Sequence, residues 1–450
     1  MSSARPDGPR NNNHDAKVTS MKVMTGLWLA GAILALGGIA VTASDSGPSA
    51  DQAAFVHSGR TGFVVTDFAF ALSKDASETG ACPHGWTLGL REQFAATPDG
   101  RRRDGESDQD YSRRLAAGAQ KLATAASGQN LCMNPEAGAA DPHWRTVDAP
   151  NIPAYGIDLD GQDSRANGRA APGTCPHTDF RGFNGERGID NQFFRVVGCS
   201  RSYQPSGQSW DNTIELRTGS WGVLITLDGV DDIRNSPSVQ VGIYASADPI
   251  QLSATRDPVA YATYSPMQDP RFRATTRGHI VNGVLTTEPV DVRFYKVTNS
   301  MYLERPLRHA RLQATISPSG VLEGYLAGYA PVEAIYDHQY GYRDATDGHG
   351  NPSPLRLRSG SANGNAFVNN HTCNGAYHAL LAAADGDRDP ATGRCTSIST
   401  QYRIRAIPAF VVDTATTSVN GELDRTSSKA VAGQYLNSNS NANSNGAEKK

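Results

Sequence analysis

Residues 156–199 read GIDLDGQDSRANGRAAPGTCPHTDFRGFNGERGIDNQFFRVVGC, which places Asp158, Asp160, Asp163, Asp179 and Asp190 among glycines. Short-spaced carboxylates on turn-forming backbone suit a hard cation, because oxygen ligands must converge on it from several directions. The same residues also suit solvated turns, where an Asp accepts from its own backbone. Asp158, Asp160 and Asp163, joined by Asp190 and backbone carbonyls, form the first candidate calcium site. A second is Asp385, Asp387 and Asp389 in Asp385-Gly386-Asp387-Arg388-Asp389, where Arg388 is also placed to neutralise the loop. A third acidic run, Asp228-Gly229-Val230-Asp231-Asp232, reads as a hairpin turn.

The Asp158–Asp163 and Asp385–Asp389 runs resemble, over a few residues, the D-x-D starts of EF-hand and dockerin calcium loops. They depart from that pattern quickly: Pro390 stands where the later loop would need its glycine, and Thr396 where it would need its bidentate glutamate. The expected site is therefore a looser one than an EF-hand, with calcium as its cation.

Cys-Pro-His occurs twice, at Cys82 to His84 and Cys175 to His177. Thiolate and imidazole are good zinc ligands, but tetrahedral zinc needs four, and no second Cys/His pair stands at the usual short spacing. Six cysteines, Cys82, Cys132, Cys175, Cys199, Cys373 and Cys395, with no C-x-x-C among them, read as disulfide partners in an oxidising compartment. Pairing of nearest neighbours is expected, including a Cys175–Cys199 staple around the acidic stretch.

Nucleophile elbows, H-E-x-x-H, P-loops and dinucleotide fingerprints are absent. A glycosidase built on two carboxylates needs no such motif, since its acids can come from any two strands; Glu215 and Glu323, both expected on strands, are the examples, and solvent-facing positions are the simpler reading for them. Aromatic residues offer a sugar platform, because a ring stacks on apolar faces while its polar tip stays wet. Trp210, Trp221, Tyr325 and Tyr329 are among them. Tyr336, Tyr340 and Tyr342, on a Gly/His/Asp loop, are the candidate ligand-binding residues.

The elements that must hold these residues are mostly strands. Residues 63–70 combine β-branched and aromatic side chains. Trp221, Val223, Ile225 and Leu227, then Val239, Val241 and Ile243, repeat with period two. Asn282-Gly283 has the residues a type I′ hairpin demands, and SPSG at 317–320 separates two further strands. Residues 401–412 form a final strand, expected at an edge because Pro408 cannot donate to a ladder. Residues 107–127 carry Tyr111, Leu115, Ala119 and Leu122 at helical spacing, with Ser107 or Asp108 as cap, and a short helix is expected over 374–384.

Residues 23–44 are uncharged and apolar, with a small-residue exit at Val41-Thr42-Ala43. They form either a cleaved signal or a membrane anchor. The chain of 450 residues carries a net charge of -3 and no dense basic face, so nucleic acid is not an expected partner.

The expected organisation is a polar extension (1–20), a signal or anchor helix (21–44), a linker (45–60), a mixed disulfide-containing region (61–200), an antiparallel β region (201–345), a loop with short helix and final strand (346–413), and a disordered tail (414–450). The fold class is mainly β with minor α: a jelly-roll-like β-sandwich with long irregular loops and one or two short helices. The functional expectation is a periplasmic or extracellular binding protein, released or tethered by residues 23–44. It would bind a glycan or an envelope protein without chemistry and carry structural calcium. The rivals are a carbohydrate-active hydrolase or lyase and a structural component of an envelope assembly.

Overall fold

A computed structural model describes residues 55–73, 80–148, 151–167, 169–205, 207, 210–298, 301–341, 364 and 366–413. The apolar 23–44 segment, the 414–450 tail and Tyr342 lie outside them. Among the described residues no helix is long and apolar enough to cross a membrane.

The strands are β1 (Arg60–Phe70), β2 (Val223–Asp228), β3 (Asn235–Ala245), β4 (Thr263–Tyr264), β5 (Arg273–Val281), β6 (Val284–Thr287), β7 (Val290–Thr298), β8 (Met301–Ile316), β9 (Leu322–Pro331), β10 (Gly386–Arg388), β11 (Cys395–Pro408) and β12 (Phe410–Val411). One large antiparallel sheet of 10 strands dominates, nine of them neighbours in the order β1-β2-β3-β5-β6-β8-β9-β11-β10 and β7 paired with β8 beside that path. The expectation of two facing sheets is not met. β1 pairs with β2 through its first half and with β11 along most of its length, so the path from β1 to β11 returns to its start. A sheet that closes on itself protects the backbone groups of its outer strands, which a sandwich leaves at four edges.

Alternation along the strands sorts the side chains. Phe63, Val65, Phe68 and Phe70 on β1, Ile225 and Leu227 on β2, Val241 and Ile243 on β3, Leu312 on β8, Leu326 on β9 and Tyr402 and Ile404 on β11 pack into one core. A bulge between Val65 and Asp67 lets Val65 and Phe68, three residues apart, share that core. The Asn282-Gly283 turn forms as expected, with φ of 54° and 79° at its two residues and Val281 opposite Val284. Pro408, however, does not mark an edge. β11 has β9 on one side and β1 on the other, and Pro408 is its last residue, opposite Phe63.

Ser107 caps the Asp108–Leu122 helix by accepting from the Asp110 amide at 3.1 Å. The second expected helix spans Cys373–Ala382. Glu215 lies on the Asp211–Arg217 helix, not on a strand. That helix is tied to β1 where Thr213 Oγ1 accepts from the Phe68 amide and donates to the Phe68 carbonyl.

Three disulfides form, Cys82–Cys199, Cys132–Cys373 and Cys175–Cys395. None joins nearest neighbours, and the Cys175–Cys199 staple does not exist. Folding brings segments 117, 241 and 220 residues apart together, and proximity in sequence has no bearing on that. Three bridges fit an extracellular or periplasmic location.

Candidate functional site

The acidic stretch is laid across the outer face of β9 and β11. Ile157 and Leu159 pack on Ala327 and Tyr329 of β9. Gln401 of β11, 1 % exposed, pins the stretch by its side chain: Nε2 donates to the carbonyls of Ile157 at 2.9 Å and Asp190 at 2.6 Å, and Oε1 accepts from the Ile157 amide. The Gln192–Val197 helix follows Asp190 directly, with Asn191 capping it and the Gln192 amide donating to Ser399 Oγ of β11. Gly188, at φ 68°, leaves no room for a side chain, since a Cβ would stand 2.5 Å from the Gln162 carbonyl oxygen.

At the centre is His177. Its Nδ1 lies 2.8 Å from the Cys175 carbonyl oxygen, which accepts the Nδ1 proton. Nε2 points at two acids, 2.8 Å from Asp190 Oδ1 and 2.8 Å from Asp179 Oδ1. Asp190 Oδ2 also accepts from the Leu159 amide at 2.6 Å. Asp179 Oδ2 accepts from the Ser164 amide, but its Oδ1, although close to His177, has no aligned hydrogen bond. The side chains of His177, Asp179 and Asp190 are 5 %, 1 % and 0 % exposed. Asp160 is half-buried, and its carboxylate, the His177 ring and the Asp190 carboxylate each offer an atom within 4.8 Å of the others.

Asp385 arrives from the far end of the chain. It is fully buried, its backbone carbonyl accepts from the Cys175 amide at 2.8 Å, and Oδ1 accepts from the Ser399 amide at 2.7 Å. Oδ2 has no hydrogen-bond partner, and neither has the buried Tyr329 hydroxyl. The Cys175–Cys395 bridge fastens the two contributing segments together.

The electrostatics follow from crowding acids around one ring in a dry place. Burial opposes charge on His177, but the two carboxylates facing Nε2, Asp179 and Asp190, outweigh it and carry the imidazole up to about 11. Burial pushes Asp190 up to about 7 and Asp385 up to about 6, against the stabilising His177 charge. Burial also acts on Asp179, yet the nearby His177 imidazole and the bonds with Ser164 prevail and hold it below its ordinary value. Burial, then the charges of Asp190, Asp385, Asp160 and Asp158, push the Tyr329 phenol far up.

Of the seven acids expected to bind calcium, Asp158, Asp160, Asp190 and Asp385 belong to this electrostatic cluster. Asp158 stands at its rim, where Oδ1 accepts from the Gly161 amide at 2.6 Å. Asp163 faces Arg187 at 3.4 Å. Asp387 bonds Ser397 Oγ and Arg308, and Asp389 accepts from the amides of Ala391 and Thr392 in its own turn. His177 and Asp179 were not among the expected ligands. The signal for them is His177-Thr178-Asp179, two ligand-type residues two positions apart in the stretch already singled out.

Tyr336 cannot be a sugar platform. Its ring is fully buried and its hydroxyl donates to the Cys132 carbonyl at 2.8 Å. Tyr340 lies in the Asp337–Gly341 helical turn. Aromatic residues do meet elsewhere: Tyr155, Trp210 and Tyr325 line an open cleft of about 840 Å³ on the outer face of β1, β11, β9 and β8, with Asp67, Gln313, Glu323, Arg403 and Arg405. Within it Arg405 Nε lies 2.8 Å from Glu323 Oε1, and the Arg403 guanidinium is 5.8 Å from the Tyr155 ring centre. Trp210 is 39 % exposed.

The chain matches no family model, and no significant match was found among curated proteins or solved structures.

Proposed function

We propose that this chain is an exported, non-catalytic binding protein that holds a carbohydrate in the cleft on the outer face of its closed sheet. The cleft is the observation that carries the reading. Trp210 and Tyr325 supply ring faces for the apolar faces of sugar rings, beside a Tyr155 ring that packs on Phe183, and Arg403, Arg405, Gln313 and Glu323 supply donors and acceptors for hydroxyl groups. A cleft of about 840 Å³ has room for a short oligosaccharide. The two acids at this surface are each held by an arginine, Asp67 by Arg217 and Glu323 by Arg405. That arrangement suits a rigid polar wall better than a proton-transferring pair, which needs one acid free to carry its proton.

A glycan array probed with the purified protein tests the proposal. Wild-type protein is expected to bind a defined subset of glycans, and Trp210→Ala and Tyr325→Ala to weaken that binding about tenfold or more, the loss expected of a stacking contact worth 1–2 kcal/mol. An array on which the wild type binds nothing removes the proposal. Cleavage of a bound glycan replaces it with the hydrolase reading.

A further inference from the structure

We infer that Asp160, His177 and Asp190 form a site for one divalent transition-metal cation, with Asp179 and Asp385 completing its carboxylate surround. The inference is independent of the carbohydrate cleft.

Three observations on different atoms carry it. The first is spacing. A zinc-like ion with ligand bonds of about 2.0–2.2 Å holds its donors about 3–4 Å apart, and the donor atoms of Asp160, His177 and Asp190 all lie within 4.8 Å of one another. The second is the orientation of the imidazole. The Cys175 carbonyl takes the Nδ1 proton at 2.8 Å, as the outer partner of a metal-bound histidine does, and this aims Nε2 at the acids.

The third is a surplus of acceptors. One Nε2–H bonds one oxygen well, and Asp190 Oδ1 takes it. Asp179 Oδ1, on a residue 1 % exposed and also 2.8 Å from Nε2, is left without a hydrogen bond. Asp385 Oδ2, on a residue 0 % exposed, has none either. A buried acceptor without a donor costs about 1–3 kcal/mol, more when charged. A cation on Nε2 stands beside Asp179 Oδ1, 2.8 Å from that nitrogen, and brings positive charge among these acids that one shared proton does not.

The donor set also selects the ion. Calcium takes six to eight oxygens and has little use for imidazole, whereas zinc, manganese and iron accept a nitrogen with carboxylates. The calcium expected from the acids alone therefore gives way to an ion of the zinc or manganese kind. Asp160, half-buried, is the ligand at the surface and leaves the ion a way in.

The test uses the full chain, stripped with chelator and then titrated calorimetrically with Zn²⁺, Mn²⁺ and Ca²⁺, beside thermal melts and the visible spectrum with Co²⁺. One equivalent of Zn²⁺ or Mn²⁺ is expected to bind and raise the melting temperature, and Co²⁺ to develop d–d absorption bands. Asp160→Asn and His177→Gln are expected to weaken binding at least tenfold and to diminish those bands. Asp160→Asn alters only a half-buried side chain and keeps the test open if His177→Gln does not fold. Wild-type protein that binds none of Zn²⁺, Mn²⁺ and Co²⁺, or that binds Ca²⁺ alone, overturns the inference, as does an Asp160→Asn variant with unchanged affinity.

Discussion

His177 Nδ1 lies 2.8 Å from the Cys175 carbonyl, so the residue whose sulfur is bonded to Cys395 on β11 also decides which ring nitrogen of His177 faces the acids. Position and tautomer of the central ring thus depend on one covalent anchor.

Replacing Cys175 and Cys395 together by serine is expected to lower stability by about 2–4 kcal/mol, the range for a bridge that closes a long loop. Guanidinium denaturation of the variant beside the wild type measures it. A difference below about 1 kcal/mol would show that the bonds from Gln401 and Ser399 hold the acidic stretch on the sheet without the bridge.

Tyr329→Phe is expected to stabilise the metal-free protein by about 1 kcal/mol, because it removes a buried hydroxyl that has no hydrogen-bond partner and keeps the ring packed on Ile157 and Leu159. Urea denaturation in chelator is the measurement. A loss of stability would mean that the hydroxyl is satisfied.

His371 gives the molecule an acid-labile point. It is fully buried between the rings of Trp144 and Tyr203, with Nε2 bonded to Ser200 Oγ, and burial holds its pKa down to about 3. An unfolded histidine titrates near 6.5. Between those values the unfolded chain binds a proton that the folded chain refuses, so stability present above pH 6.5 is lost as pH falls toward 3, by up to roughly 5 kcal/mol. His371→Gln should flatten the slope of stability against pH in that window. An unchanged slope would place the acid sensitivity elsewhere.

Arg305 on β8 lies over the core aromatics, 5.3 Å from the Trp221 ring centre and 5.5 Å from that of Tyr402, while Nη2 bonds Asn212 Oδ1 at 2.7 Å. Arg305→Lys keeps the charge but loses the planar group that stacks and bonds together. It is expected to cost about 1–3 kcal/mol in chemical denaturation. A neutral effect would mean that the charge alone suffices.

The strands and their turns were legible because their signals are local: period-two alternation at Val223, Ile225 and Leu227, Asn-Gly at 282–283, Ser107 before a helical stripe. Closure was not, because it depends on Phe63 meeting Pro408, and alternation reads the same in a sandwich and in a closed sheet. The same limit governed the site. Asp158 and Asp160 share one turn and announce themselves, whereas Asp385 joins them only through β10 and β11. His177 was legible as a ligand type, but its partners at 160 and 190 reach it through space, at none of the spacings that short metal motifs use. Tyr336 misled because a tyrosine in a polar stretch can still turn its ring inward.

The pairing of β1 with β11 also fixes an order of assembly. A chain made or delivered from its N-terminus presents Phe63 early and Pro408 late, so β1 must wait with one flank bare until nearly all the described residues have emerged. Of the three disulfides, Cys82–Cys199 needs only the first of these segments, while Cys132–Cys373 and Cys175–Cys395 need the last. Pairings so remote in sequence are slow to find. Until β11 arrives that flank of β1 stays unpaired, and the Cys175–Cys395 bridge, whose second cysteine is the first residue of β11, closes only with it.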